Sequence, residues 1–481
     1  MVANLRTRAE RSPAAMRPSV RRPRETISAK PARGTSAVRK AVVDSVIFVV
    51  WAILEYVDII LLVSQAWLRA LWWPFGACMA AVRSEEKPRH VVIVGASFGG
   101  LAAQRSLSGE RGVKVTLIDF KSYFEYTPGI LRCYVQPGFI KQLTCPLPAS
   151  RNELIRGAMT GVDEAAVVMR DPNGTVRRVP FDYLLLAVGS TYADPIKPLE
   201  AEPTLVERAA SWDEAAAKLA AASTVIVVGA GPVGVELAGE ILTAYPEKRV
   251  TFVDMAPTIL PGFDEAAASF TKQWFAARGA EMKLGEPIEA IRSQSVLLKS
   301  GELLESDVVY KCVGVMPNTD MLKDSPLFSG TFGFRDSISV NDHLQLDGNP
   351  KIYCVGDMMN HASRELKLGH TAEVNAHLAA HNILADLHGE PLLTYPRGVT
   401  GADTTPKIWC LSLGKYDAVV GFNGLVLCGW YVAVLKWLLE WTKIAAAAER
   451  PIGIVFWKVA DTSSCWLHRT LLPPPNPKKA L

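Results

Sequence analysis

Two glycine-bearing strand-to-helix junctions, one near each end of the middle of the chain, constrain this 481-residue sequence more than any other feature. The first is VVIVGASFGGLAAQRSL after His90, a β-branched run, a glycine turn and then a helical period. Gly95, Ser97 and Gly100 occupy the G-x-G-x-x-G positions, with Gly99 beside the last. The second, TVIVVGAGPVGVELAGEI, has Gly229, Gly231 and Gly234 at the same positions. Each is followed by a strand that ends in an acid. VKVTLIDF places Asp119 one helix and one strand after Gly95, and RVTFVDMAP places Asp254 at nearly the same offset from Gly229. One such turn would be weak evidence, because any tight turn favours glycine. Two, each with strand, helix and acid in register, predict two dinucleotide sites. Helix N-terminal amides stabilise a pyrophosphate, missing Cβ atoms clear its path, and the acid accepts from ribose hydroxyls. The expected fold class is α/β, built on two Rossmann-like domains.

The first junction departs from the pattern, since serine stands where the middle glycine lets backbone approach phosphate. Ser97 must tolerate that approach or Gly99 must ease it. A third element, VNDHLQLDGNPKIYCVGD, lies well beyond the second fingerprint and ends a short strand at Gly356-Asp357, and a helix starts near Thr371. Alone, Val-Gly-Asp would read as a turn. In this position Asp357 is read as binding a ribityl hydroxyl, with the Thr371 helix N-terminus toward the pyrimidine end of a flavin.

The ends of the chain differ from its middle. Lys plus Arg total 52 against 48 Asp plus Glu. Nine Arg and two Lys against Glu10 and Glu25 put +9 in residues 1–40 and leave −5 for the rest. That Ser- and Pro-containing arm reads as an organelle-targeting segment, mitochondrial with a plastid or other organelle address left open, or else as a disordered basic arm that touches a polyanion such as lipid. No aromatics interleave with its charges, so nucleic acid is not an expected partner. Residues 41–82 are apolar and long enough to cross a bilayer. Glu55 and Asp58 cost roughly 5 to 7 kcal/mol there, against roughly 4 to 8 returned by the aliphatic and Phe residues, so the balance does not decide between spanning and lying flat. Asp44, Trp51, Glu55, Asp58, Gln65 and Arg69 share an arc of about 80° at 100° per residue, one narrow polar stripe. Near the other end, residues 425–459 carry Trp430, Trp437, Trp441, Lys436 and Lys443, which suit a lipid headgroup boundary. A packed core helix would show a similar stripe.

Together the motifs resemble the two-dinucleotide-binding flavoprotein reductases of the pyridine nucleotide-disulfide oxidoreductase superfamily, over roughly residues 90–460. FEYTPGILRCYV, GVELAGEILTAYPEKRVTFVD and LSLGKYDAVVGFNG look most like the ferroptosis-suppressor branch of the apoptosis-inducing-factor-like quinone reductases, with type II NADH dehydrogenases as near relatives. The resemblance implies FAD in the first fold, on Gly95, Ser97, Gly99, Gly100 and Asp119, with Tyr126 and Pro128 lining the flavin and Gly356-Asp357 returning to it. It implies NADH in the second, on Gly229, Gly231, Gly234 and Asp254, whose carboxylate disfavours a 2′-phosphate without excluding NADPH. LLLAVGS, ending at Ser190, and YKCVGVMPN, with Gly314, match the family's crossovers. Glu236 corresponds to the glutamate that positions the nicotinamide, and Lys443 approximately to a lysine near the quinone end. The implied organisation is an arm at 1–40, an apolar helix at 41–82, an FAD domain at 90–205 and 326–390 split by an NAD(P)H domain at 206–325, a quinone- and membrane-facing region at 391–465, and an unstructured 466–481.

The eight cysteines form no C-x-x-C pair and no zinc-ligand spacing, so no metal is expected. Only Cys133 lies where a disulfide reductase keeps its pair, which disfavours a thiol relay. The leading expectation is a membrane-associated, FAD-dependent NAD(P)H:quinone oxidoreductase that contacts lipid through 41–82 and 425–459, with a homodimer left open. A soluble reductase for a ferredoxin- or ascorbate-radical-type acceptor, and a redox-sensing or scaffold protein, stay open beside it.

Overall fold

The computed structural model describes residues 37–79, 87–148, 153–192, 195–396 and 406–473, with side chains of the first helix described through residue 68. Nearly all of the basic arm, the side chain of Arg69 and most of the linker before His90 lie outside them.

The first fingerprint strand, Arg89–Val94, pairs in parallel with Val113–Asp119 on one side and Tyr183–Leu186 on the other. Glu153–Arg156 extends this sheet at one edge; Asn349–Cys354 and then Gln345–Leu346 complete it at the other. Val91 to Ile93 and Leu184 to Leu186 are wholly buried, as unbroken apolar runs in a sheet covered on both faces require. Because the chain leaves this sheet after Leu186 and returns at Gln345, the first nucleotide fold is split. The insertion carries a second sheet, in the order Glu281–Leu284, Arg249–Asp254, Thr224–Val228, Val308–Lys311, parallel throughout. Its crossovers touch where Ser190–Thr191 pairs antiparallel with Met316–Pro317.

The C-terminal region holds more than the one amphipathic segment. Ile408–Ser412, Ala418–Phe422 and Leu425–Gly429 form a three-stranded meander, followed by helices Trp430–Ala447 and Pro451–Thr470. Glu449 in the left-handed region (φ 57°) and Pro451 at the next helix start make the break. The two helices nearly touch: a Cβ on Gly453 would fall 2.3 Å from the Ala446 nitrogen. The last helix continues to Thr470, into the segment expected to be unstructured.

The leading helix, Ala37–Met79, turns its polar stripe onto this C-terminal region. Arg450 grips both acids, Glu55 at 2.7 Å and Asp58 at 2.8 Å, and Asp58 also accepts from the Ile452 amide at 2.9 Å. Closer to the N-terminus Asp44 pairs with Lys415 at 2.9 Å, and Arg39 pairs with Asp417. The acids that made spanning doubtful are therefore matched inside the protein, Asp58 being 1% exposed. Phe48, Ile53, Tyr56, Ile59, Val63 and Trp67 on the same helix stay exposed. Residues 37–68 are long and apolar enough to cross a membrane, and only 6% of their most apolar window is buried.

Candidate functional site

The two fingerprints are matching hydrogen-bond circuits. The Gly95 amide donates to Ile118 O and the Gly229 amide to Val253 O, both at 2.8 Å. The following amide, Ala96 or Ala230, donates to the strand-end acid, Asp119 at 2.5 Å or Asp254 at 2.6 Å. Each acid takes a second amide two residues on, Lys121 at 2.9 Å and Ala256 at 2.8 Å. Gly95 and Gly229 have φ of 102° and 108°, where L side chains are strained. A Cβ on Gly100 or Gly234 would fall 1.6 or 1.9 Å from the oxygen of its partner glycine. At Gly231, by contrast, a Cβ would meet nothing within 4 Å, so its absence opens space before the helix N-terminus, which a pyrophosphate requires. Ser97 stands at the equivalent point, extended, half-buried, with no capping bond from its hydroxyl. The acids differ in one respect: Asp119 also binds Lys121 Nζ at 2.8 Å, whereas Asp254 has no cationic partner among the described residues.

Asp357, after Gly356 at the end of the returning strand, accepts from Ser190 Oγ at 2.6 Å and Lys197 Nζ at 2.7 Å. Burial alone would raise its pKa; the Lys197 ammonium and Ser190 bond instead hold the carboxyl below its usual range. The helix Gly369–His388 begins beside it, but Thr371 has its hydroxyl engaged as a cap, taking the Leu368 amide at 3.1 Å and donating to backbone oxygens. Tyr126 is buried, with its ring edge-on to Phe98, and Pro128 opens the turn Thr127–Tyr134. Gly314 is exposed in the second crossover with φ 80°.

Glu236, on the helix Pro232–Ala244, is buried and not merely half-buried. It accepts from the Ser412 amide at 2.8 Å, Ser412 Oγ at 3.0 Å and Lys436 Nζ at 3.1 Å, tying the second nucleotide fold to the C-terminal region. Lys436 is thus not a headgroup lysine; burial disfavours its charge, but Glu236 keeps the ammonium above its usual range. Lys443 is placed elsewhere. It pairs with Glu373 of the Gly369–His388 helix, under the Trp457 ring at 3.3 Å, and lines neither of the cavities described next.

Two adjoining cavities lie between the leading helix, the first nucleotide fold and the C-terminal region. The inner, about 210 Å³, is bounded by Pro128, Gly129, Arg132, Ser412, Lys436 and Glu440. The outer, about 590 Å³, is bounded by Phe48, Trp51, Thr144, Trp441 and Arg450. Asp44, Ile47, Gln142, Trp437 and Glu440 line both. Of the residues that sequence reasoning missed, Arg132 and Ser412 lie inside FEYTPGILRCYV and LSLGKYDAVVGFNG but were given no role there, and Glu440 has no motif. Lys436 was legible only as part of an amphipathic stripe.

Two nucleotide junctions in one split fold, with a third acid, Asp357, at the end of the returning strand, define a two-dinucleotide flavoprotein reductase. The family model described as pyridine nucleotide-disulphide oxidoreductase matches residues 89–376, and the chain belongs to that family. It is an FAD-dependent NAD(P)H oxidoreductase. Ferroptosis suppressor protein 1 of Homo sapiens is 28% identical over 360 residues, 71% of this chain and 91% of that protein. The fold is shared with the sulfide:quinone oxidoreductase of Aquifex aeolicus (TM-score 0.63, 19% identity, 80% of this chain and 96% of that one). It is also shared with NDH2 from Plasmodium falciparum in complex with NADH (TM-score 0.60, 14% identity, 81% and 99%). Among the described residues the cysteines are free; Cys133 is 0% exposed and burial holds its thiol protonated, which suits packing and not relay.

Proposed function

We propose that this enzyme passes electrons from NADH to a lipophilic quinone at a membrane surface. The observation that carries the reading is the pair of joined cavities, which lead from the apolar flank of the leading helix to Pro128-Gly129. Gly95, Ser97, Gly99, Gly100 and Asp119 would hold the adenine half of FAD, with the free Ser97 hydroxyl toward phosphate. Asp357 and Gly356 would hold the ribityl side, Tyr126 and Pro128 would line the ring, and Thr371 would act by fixing its helix start. Gly229, Gly231, Gly234 and the uncompensated Asp254 would take NADH, with Gly314 leaving the crossover open to it. When bound, FAD supplies a two-electron acceptor for hydride and a donor to the quinone. Glu236, fixed by Ser412 and Lys436, would orient the nicotinamide. Lys443, with Glu373, braces the helix whose N-terminus would face the flavin.

The leading helix lies along the bilayer surface in this reading. Its bonds to the body run from Arg39 to Asp58, about 29 Å of helix at 1.5 Å per residue. That equals the thickness of a hydrocarbon core, so a spanning helix bonded at both ends would drag the body into lipid. The exposed apolar side is left for the headgroup and acyl boundary. A mitochondrial membrane is the proposed location, on the composition of residues 1–40, and a fluorescent fusion with and without those residues tests it.

The enzymatic test is purification in detergent, a flavin spectrum, and NADH oxidation with and without a short-chain ubiquinone. Quinone-dependent turnover by a yellow protein is expected. Turnover with ferredoxin or an ascorbate radical but not with quinone would overturn the reading, as would NADH-dependent oligomerisation without turnover.

A further inference from the structure

Glu440 is the residue of the joined cavities whose chemistry is still unassigned. It sits on the helix Trp430–Ala447, is 6% exposed, and lines both cavities. Its carboxyl makes no hydrogen bond or ion pair among the described residues. One oxygen packs on the flavin-side turn, 2.5 Å from where a Cβ on Gly129 would lie.

The charges around it are already matched. From the Pro232–Ala244 helix Glu236 and Glu240 face it, from the turn Thr127–Tyr134 Arg132, and from its own helix Lys436. Lys436 is bonded to Glu236 and Arg132 to Glu240, each at 3.1 Å, so these four sum to zero. Farther round the cavities Asp44 pairs with Lys415, Asp417 with Arg39 and Arg450 with Glu55; Lys141 lines only the outer one. An ionised Glu440 would be a third buried acid with no cation of its own, and a protonated one costs nothing of that kind. Burial, reinforced by Glu240 and Glu236 and opposed by Arg132 and Lys436, raises its pKa above the usual carboxylate range.

Quinone reduction consumes this proton. In NADH + H⁺ + quinone → NAD⁺ + quinol, the hydride brings two electrons and one proton, and the second proton must come from the medium. We propose that Glu440 is the proton donor to a quinone oxygen in these cavities. Its carboxyl O–H breaks as the quinol O–H forms, and the carboxylate is reprotonated by water through the outer cavity. This rests on the quinone reading above.

The test uses the full-length enzyme in detergent, with short-chain ubiquinone as probe and ferricyanide as an acceptor that takes electrons without protons. In E440Q the ratio of quinone to ferricyanide rate falls about 10²-fold, the low end for general acid catalysis. The wild-type quinone rate falls as pH rises through the raised Glu440 pKa, and E440Q lacks that limb. In infrared difference spectra the wild type shows a protonated-carboxyl C=O band that moves on adding the quinone, is lost in E440Q and shifts in E440D. A ratio in E440Q within about threefold of wild type, or no such band, overturns the proposal. If E440Q does not bind FAD, the wild-type and E440D spectra decide. Wild-type enzyme that reduces ferricyanide but no quinone overturns the acceptor reading and this proposal with it, whereas quinone turnover indifferent to E440Q overturns this proposal alone.

Discussion

Removing Arg450 should undock the leading helix. Asp58 acts as a helix cap supplied from the far end of the chain: the Ile452 amide is in the first turn of its helix, has no intrahelical acceptor, and donates to Asp58 at 2.9 Å. The Arg450 guanidinium holds that carboxylate in place and takes Glu55 as well. In Arg450→Ala the Asp58 side chain, 2% exposed, would stay buried without its cation. Breaking a buried pair costs about 3 to 5 kcal/mol; with the Arg450 and Glu55 side chains about a third exposed, solvent screening argues for the lower end, about 3 kcal/mol. At about 1.4 kcal/mol per decade that is about a 10²-fold shift toward the undocked helix. Hydrogen exchange of the Ile452 amide reads this equilibrium directly, because docking alone protects it. Exchange should rise about 10²-fold in Arg450→Ala, and the quinone KM should rise with it as the outer cavity loses its Phe48 and Trp51 wall. Unchanged exchange at Ile452 would refute the reasoning.

Other outcomes follow from the nucleotide circuits. Glu236→Ala should retain FAD and slow flavin reduction by NADH in stopped flow; an unchanged rate would count against its role. Asp254→Ala should lower the preference for NADH over NADPH by about 10-fold or more in kcat/KM, since the variant lacks an uncompensated charge facing the 2′ position. Asp357→Asn loses a charge-assisted bond worth about 1.5 to 3 kcal/mol and should weaken FAD retention about 10- to 100-fold by equilibrium dialysis. The acid limb of that site has a definite sign. A folded pKa below the ordinary 3.8 means Asp357 contributes fully above that value and loses the contribution only as pH falls below it. The pH dependence of flavin release above about pH 4 should therefore be the same in wild type and Asp357→Asn, although the variant holds flavin more weakly throughout.

The nucleotide folds were legible because a glycine turn and a strand-end acid are local devices. Gly95 to Asp119 and Gly229 to Asp254 each close their circuit within one strand-helix-strand unit. Asp357 could be found because strand, glycine and acid are contiguous, but not its partners Ser190 and Lys197, which precede the whole inserted domain. The polar stripe of the leading helix was visible as an arc; what it faced was not, because Arg450 lies in a segment that reads as lipid-facing and Lys415 in a stretch with no periodicity linking it to Asp44. Lys436 and Lys443 show the same limit more sharply. Two turns apart on one helix, they differ in role only through Glu236 and Glu373, which no periodicity identifies. Glu440 has no signal at all, since an acid in an amphipathic helix is ordinarily a solvated one.

The seam between the leading helix and the C-terminal helices also sets an order of assembly. Its bonds from Arg39 to Asp417 and from Ile452 to Asp58 join positions 378 and 394 apart in sequence, among the longest loop closures this chain has to make. During synthesis the apolar helix emerges before both nucleotide folds and Arg450 after them. A helix held at a lipid surface would wait through the translation of both nucleotide folds before its acids meet their cation. The two joined cavities, lined from both the leading helix and the C-terminal helices, then form only after both nucleotide folds, so on the quinone reading flavin can be bound before quinone can enter.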